Sequence, residues 1–132
     1  IIPGGQGTRT LVSDIGFCKS LLEIAEQSRF CLTICTGSAL LAKTGLIDGR
    51  KATSNKRSFE WVKSTNQKVD WQSSARWVAD GKYYTSSGVS AGIDMALGFV
   101  ADQFGADKAK EIAYNIEYVW NSDKTADQFS VS

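Results

Sequence analysis

The chain contains no histidine. That absence excludes Ser-His and Cys-His nucleophile pairs and imidazole metal ligands from within these residues. Cysteine is sparse: Cys18, Cys31 and Cys35 have neither zinc-site spacing nor the even count of a disulfide framework. An odd number of thiols fits a reducing cytoplasm, which is the expected location. No apolar run approaches the ~18 residues of a membrane-spanning helix. The opening Ile1-Ile2-Pro3-Gly4-Gly5 lacks the pattern of a signal peptide. Charge of either sign is also lacking in excess: 15 Lys and Arg stand against 14 Asp and Glu, a net charge of +1. The two signs are interspersed, so no basic stripe predicts a nucleic acid or anionic-membrane partner. A small-molecule substrate is expected instead, with no metal and no cofactor.

What is present is an ordinary globular composition, 42% hydrophobic and 22% charged, in a chain long enough for one core. No internal repeat or low-complexity segment marks a domain boundary, so residues 1–132 read as a single domain. The chain is organised around residues 30–45. Phe30 to Ile34 is a short apolar stretch that predicts a buried strand. Thr36 to Thr44 carries Ala39, Leu40, Leu41 and Ala42 and stops at Gly45, which predicts a helix with a left-handed cap. Cys35 therefore falls where a strand ends and a helix begins. In an open α/β sheet that edge is where ligands bind, and a helix N-terminus is expected to stabilise a thiolate.

Upstream, Ile1 and Ile2 read as the end of a strand, and Pro3 with Gly4 and Gly5 predicts a tight turn. Thr8 is a candidate helix cap, after which Leu11, Ile15, Cys18, Leu22 and Ala25 form the stripe of one amphipathic helix ending near Gln27. Downstream, Lys51 to Ser54 reads as extended, Ser58 to Thr65 as a short helix and Val69 to Gln72 as a strand. Arg76 to Ala79 and Lys82 to Thr85 flank Asp80-Gly81, which predicts a hairpin with a type I′ turn. An apolar helix is expected from Ser90 to Phe104, buried on most faces, and a surface helix from Ala106 to Val119. Trp120 to Ser132 has no clear period. Strands alternating with helices predict an α/β sandwich with a mainly parallel sheet and a small antiparallel hairpin. Such a sheet needs further βα units before Cys35, so an N-terminal portion is expected beyond Ile1.

Each candidate site has a plainer alternative. Cys18, on a helix stripe, and Cys31, inside a strand, fit the usual role of a free cysteine as a small buried apolar residue. Cys35 differs by its place at the junction. Pro3-Gly4-Gly5-Gln6-Gly7 is either a simple loop or a set of backbone N–H groups able to approach developing negative charge. Ser87-Gly88-Val89-Ser90-Ala91-Gly92 is a second strand-to-helix turn. It either packs, with Ser90 as helix cap, or lines the same crevice as Cys35. Asp94 is expected to satisfy amides at the start of its helix.

Three blocks carry a family resemblance: Ile2-Pro3-Gly4-Gly5-x-Gly7-Thr8-Arg9, Ile34-Cys35-Thr36-Gly37-Ser38 continuing to Ala52-Thr53, and Thr85-Ser86-Ser87-Gly88-Val89-Ser90-Ala91-Gly92-Ile93-Asp94. In this order they resemble the ThiJ/PfpI superfamily of class I glutamine amidotransferase-like proteins, above all its isonitrile hydratase branch. The resemblance implies a flavodoxin-like three-layer sandwich, commonly homodimeric, with Cys35 as nucleophile in an elbow. It further implies that Gly5 and Thr36 contribute backbone amides near the reacting atom, and that an acidic partner lies upstream of Ile1. Protease-like members place histidine directly after the cysteine. Thr36 stands there in this chain, so peptidase activity is not expected. Many relatives carry a histidine after Ala52-Thr53, where this chain has Asn55. The implied activity is hydration of an isocyanide to an N-substituted formamide. Glyoxalase-like chemistry on reactive carbonyls, small-ligand sensing and redox sensing are the alternatives.

Overall fold

A computed structural model describes residues 1–130. Eleven elements follow one another: α1 (Thr8–Leu11), α2 (Ile15–Gln27), β1 (Cys31–Thr33), α3 (Gly37–Lys43), β2 (Lys51–Ala52), α4 (Phe59–Thr65), β3 (Asp70–Trp71), β4 (Trp77–Asp80), β5 (Tyr83–Ser86), α5 (Val89–Phe104) and α6 (Ala106–Asn115). The single helix expected from Thr8 to Gln27 is two. Its apolar stripe is continuous, but Ser13-Asp14 interrupts the backbone, and Asp14 caps α2 by accepting the Phe17 N–H at 3.0 Å. Short polar side chains compete with helical bonding inside a helix and favour its start. The break therefore falls where the side-chain chemistry puts it.

β5 is the centre of the main sheet. It pairs in parallel with β1, Cys31 opposite Tyr83 and Thr33 opposite Thr85, and antiparallel with β4, Trp77 opposite Ser86. Ile2 extends the β1 side by a parallel bridge to Thr33. β2 and β3 form a separate parallel pair. The α/β class is as expected, but the sheet is mixed rather than mainly parallel, because the hairpin is built into it instead of being appended. The hairpin turn also shifts by one residue. Asp80 pairs with Tyr83, so Gly81 and Lys82 form the turn. Of these two, only Gly81 takes a positive φ (+61°). That is the pattern of a type II′ turn rather than type I′.

Alternation along β1 and β5 creates the layers. Cys31 and Tyr83 face one side, where they pack with Ile2, Leu40, Leu41, Ile47 and Ala25 beneath α2 and α3. Leu32 and Tyr84 face the other, against Met95, Trp77 and Phe99 beneath α5. Here α5 comes so close that a methyl at Gly98 would lie 2.7 Å from the Trp77 ring. α5 is less enclosed than its composition predicts, since Val89 and Phe104 are 83% and 73% exposed. α6 covers part of it through Leu97, Ala109 and Ala113. It stops before Ile116, and Glu117 turns the chain with φ +55°. Residues 120–130, without a legible period, fold back against Asp94 of α5 and against residues 74–77, which lead into β4. Val131 and Ser132 lie outside the described residues.

The Ile2-Pro3 backbone and the start of α3 meet with no room to spare. A methyl at Gly37 would overlap the Ile2 carbonyl oxygen and lie 2.9 Å from that of Pro3. The Ile2 strand cannot yield easily, being held by Ile2 N–H to Leu32 O (2.8 Å) and Ile34 N–H to Ile2 O (3.0 Å). Gly37→Ala should lower the free energy of unfolding by about 1–3 kcal/mol, the usual cost of overpacking. Gly7→Ala, at a helical φ with no atom within 4 Å, should stay within about 0.5 kcal/mol. Urea midpoints measure both.

Candidate functional site

β1 ends at Thr33, and the chain reverses into α3 through Ile34, Cys35 and Thr36. Cys35 has φ +57°, the left-handed region that side chains with a Cβ rarely adopt. The conformation is held from three sides. The Cys35 N–H donates to Ser87 O at 3.2 Å, and its carbonyl accepts Ser54 Oγ at 2.8 Å and Ser38 Oγ at 3.2 Å. Left-handed backbone costs roughly 1–2 kcal/mol. Three hydrogen bonds at about 1 kcal/mol each are enough to hold it. The result lifts the Cys35 side chain out of the sheet edge at the strand-to-helix turn, the arrangement known as a nucleophile elbow. Cys31 is buried, as its position in a strand predicts, whereas Cys18 is only half-buried, as Cys35 is. Burial pushes the thiols of Cys18 and Cys31 upwards.

The Pro3–Gly7 loop closes on the elbow from below. A side chain at Gly4 would meet Thr36 N and Ile34 O at 2.8 Å. The Gly5 N–H donates to Thr36 Oγ1 at 3.1 Å, and Thr8 Oγ1 donates to Gly5 O at 2.8 Å. Gly5 is thus turned onto the Thr36 hydroxyl. Among the described residues the Thr36 N–H meets no acceptor.

Cys35 opens on a cavity of about 510 Å³ whose walls include Asn55, Lys56, Ser87, Val89 and Phe129. Gly5 and Thr36 do not line it. The second glycine turn does, through Ser87 and Gly88, so the ends of β1 and β5 converge on one crevice. The cap of α5 is Gly88 without a side-chain bond, and Ser90 lies inside the helix. Asp94 does not serve the helix amides either. Fully buried, it accepts Arg76 Nε at 2.8 Å and the Asn121 N–H at 3.0 Å.

Beneath the cavity lies a cluster that sequence reasoning missed. Lys56 Nζ is buried and donates to Thr53 Oγ1 (2.9 Å), Ser54 O (3.0 Å) and Ala75 O (2.8 Å), with Asp127 Oδ2 at 3.4 Å. Asp127 also accepts a very short hydrogen bond from Ser87 Oγ, and its Oδ1 accepts the Phe129 N–H at 3.0 Å. Burial pushes the Asp127 carboxyl up. The Ser87 and Phe129 hydrogen bonds and the Lys56 charge more than reverse this and hold it below the usual carboxylate range. Burial lowers Lys56, with Asp127 opposing only in part. Two cations, Lys56 and Arg76, thus face two buried anions, Asp94 and Asp127. No local pattern marks Asp127. Its partners are far away in sequence, and only an Asp two residues before an aromatic hints at a turn. Among the described residues no three His, Cys, Asp or Glu side chains gather as a metal site would require.

An α/β sandwich presenting a cysteine from a left-handed strand-to-helix elbow defines a class of cysteine-elbow proteins with the flavodoxin-like layering. The chain belongs to the DJ-1/PfpI family, whose model matches residues 1–102. It is 32% identical over 117 residues to an isonitrile hydratase of Pseudomonas putida, covering 89% of this chain and 50% of that protein. It is 30% identical over 119 residues to Protein DJ-1 homolog A of Arabidopsis thaliana, covering 86% of this chain and 29% of that one. Among solved structures, a ThiJ/PfpI family protein from Pseudomonas syringae superimposes with a TM-score of 0.71 at 26% identity, covering 89% of this chain and 48% of that one. The chain therefore spans half or less of the length of these relatives.

Acid should weaken the fold through this cluster. Asp127 titrates lower folded than unfolded, so its contribution is complete above the unfolded carboxyl range near pH ~4 and is lost as pH falls through the folded value. Asp127→Asn leaves Lys56 buried beside a neutral group and should cost about 3–5 kcal/mol at pH 7. The variant should also lose stability less steeply below pH ~4 than wild type. Urea denaturation across pH measures the two slopes.

Proposed function

We propose that the chain carries the nucleophile of an isonitrile hydratase-like enzyme, with Cys35 as that nucleophile. The observation that carries this reading is the strained Cys35 elbow opening on a cavity of about 510 Å³. Backbone strain of this kind persists where a side chain must be aimed. Similarity to the Pseudomonas putida isonitrile hydratase supports the choice of substrate.

In this reading the Cys35 thiolate attacks the terminal carbon of an isocyanide, R–N≡C, and a proton is delivered to that carbon. The product is a thioformimidate, R–N=CH–S–Cys. Water then adds to the same carbon, the C–S bond breaks, and the thiolate leaves with release of R–NH–CHO. The sum is isocyanide plus water to formamide, with no oxidant or reductant. Covalent catalysis replaces one difficult addition by two easier ones. The Thr36 N–H, next in the chain to Cys35 and without an acceptor among the described residues, is proposed as the amide that reaches the substrate or the attacking water, although Thr36 is not itself a wall of the cavity. Lys56 and Asp127 are committed to one another and to their neighbours. The proton carrier belongs to the same proposal: the family resemblance implies an acidic side chain upstream of Ile1. With Thr36 after the cysteine and no histidine, peptide hydrolysis is not part of the proposal. Homodimeric assembly and a reducing compartment belong to the same proposal.

Full-chain protein incubated with cyclohexyl isocyanide should yield the N-substituted formamide, and Cys35→Ala should lose at least ~10³-fold in rate, as when a nucleophile is removed. Equal turnover by both would remove Cys35 from the chemistry. No turnover by either, with a rise in melting temperature on adding isocyanide, would favour a ligand sensor. Methylglyoxal consumption in place of isocyanide hydration would favour the carbonyl reading.

A further inference from the structure

The cavity beside Cys35 is completed by a segment that the family match does not reach, since that match ends at residue 102. We propose that residues 120–130 form a fixed wall of this cavity, latched by Asp127 as a positioning residue, and that Phe129 sets the size of the group that can approach Cys35. The substrate side of this inference rests on the hydratase reading, whereas the wall itself does not.

The segment has almost nothing apolar with which to hold itself in place. From Asn121 to Ser130 the sequence is Asn-Ser-Asp-Lys-Thr-Ala-Asp-Gln-Phe-Ser, and Asp127, 5% exposed, is the residue it buries. Its attachment is therefore polar. Lys124 O accepts the Arg76 N–H at 2.8 Å, Asp127 N–H donates to Ser74 O at 2.8 Å, and Asn121 N–H donates to Asp94 Oδ1 at 3.0 Å. The Asp127 carboxylate then works in two directions. Oδ2 takes Ser87 Oγ and faces Lys56, which ties the segment to the cavity floor. Oδ1 takes the Phe129 N–H at 3.0 Å, and Asp127 O accepts the Ser130 N–H at 3.1 Å, which fixes the backbone that carries the ring.

Ser87 joins this latch to the nucleophile. Its hydroxyl donates to Asp127 while its carbonyl accepts the Cys35 N–H. Phe129 is thus three connections from Cys35: through Asp127, through Ser87 and into the elbow. Phe129 is 71% exposed, so it contributes little to the core, yet it lines the same cavity as Val89, itself 83% exposed. Two large apolar side chains left in solvent at one cavity mouth are what an apolar substituent would cover. A carboxylate that is buried against charge costs desolvation and is poor value as a stabiliser. Holding one segment in one register is what it does supply.

Thiol modification tests the wall without reference to turnover. Iodoacetamide and a bulky N-arylmaleimide would be applied to the full-chain protein, with labelling rates read peptide by peptide at Cys35 and at buried Cys31. Phe129→Ala should raise the maleimide rate at Cys35 severalfold, leave the iodoacetamide rate within twofold, and leave Cys31 unlabelled. Asp127→Asn should shift the same ratio in the same direction. Phe129→Ala involves an exposed side chain and remains decisive even where Asp127→Asn unfolds. An unchanged ratio in Phe129→Ala, or a rise at Cys35 matched at Cys31, would overturn the proposal. The rates are informative whether or not the protein hydrates isocyanides, so failure of the wall and failure of the hydratase reading are told apart.

Discussion

The hydrogen bond from the Cys35 N–H to the Ser87 carbonyl, 3.2 Å long, is the constraint on which the site depends. It joins the ends of β1 and β5, the two parallel strands whose alternation builds both layers of core. Left-handed backbone at Cys35 would relax without it, because nothing about a cysteine favours φ +57°. The Ser54 and Ser38 hydroxyls on the Cys35 carbonyl complete the restraint, and both are fully buried. Small hydroxyl side chains fit here because each offers a donor in a space too tight for a longer one. Gly4 and Gly37 serve the same junction by omission. Either one with a side chain would strike the backbone of Ile34, Thr36 or Ile2.

Charge enters through the same serine. The Ser87 hydroxyl bonds Asp127, and behind it Lys56, Arg76 and Asp94 complete a set of equal and opposite charges. Replacing such a cluster with apolar side chains often leaves a fold as stable or more so. Its value lies in specificity of arrangement, since each partner comes from a different part of the chain: the loop before α4, the start of β4, α5 and the C-terminal segment. An elbow that must stay strained is better served by neighbours fixed at one geometry than by a mobile apolar contact. Lys56 consequently makes the floor of the cavity rigid rather than reactive, its protons being directed into carbonyls and hydroxyls.

Much of this was legible in the sequence where local chemistry decides the structure. Strand, cysteine, helix and Gly45 follow in order along residues 30–45, and Gly45 takes the expected positive φ of +81°. Hairpin existence was legible from Asp80-Gly81, but its register was not. Pairing of Asp80 with Tyr83 is set by the core faces of Tyr83 and Tyr84, not by the turn dipeptide. The break at Asp14 was masked because a hydrophobic stripe reports burial and is blind to a cap in its middle. Asp127 could not be read at all. Its role is made by Ser87, Lys56 and Arg76, each about forty or more residues away, and a residue between polar neighbours carries no period that would betray burial. Asp94 reads from the sequence as a partner for the amides at the start of its helix, but its partners are Arg76 and Asn121.

The architecture thus gives the chain a thiol aimed by strain, a rigid charged floor and an apolar mouth. Under the proposed reading, these are the parts with which Cys35 would meet a small electrophile and exclude a large one. The most direct measurement is peptide-resolved mass spectrometry of the full chain, acid-quenched during turnover of an isocyanide. The account predicts a mass gain of one intact isocyanide on the peptide that contains Cys35. Formamide production with the gain on Cys18 or Cys31, or with every cysteine unmodified, would contradict it.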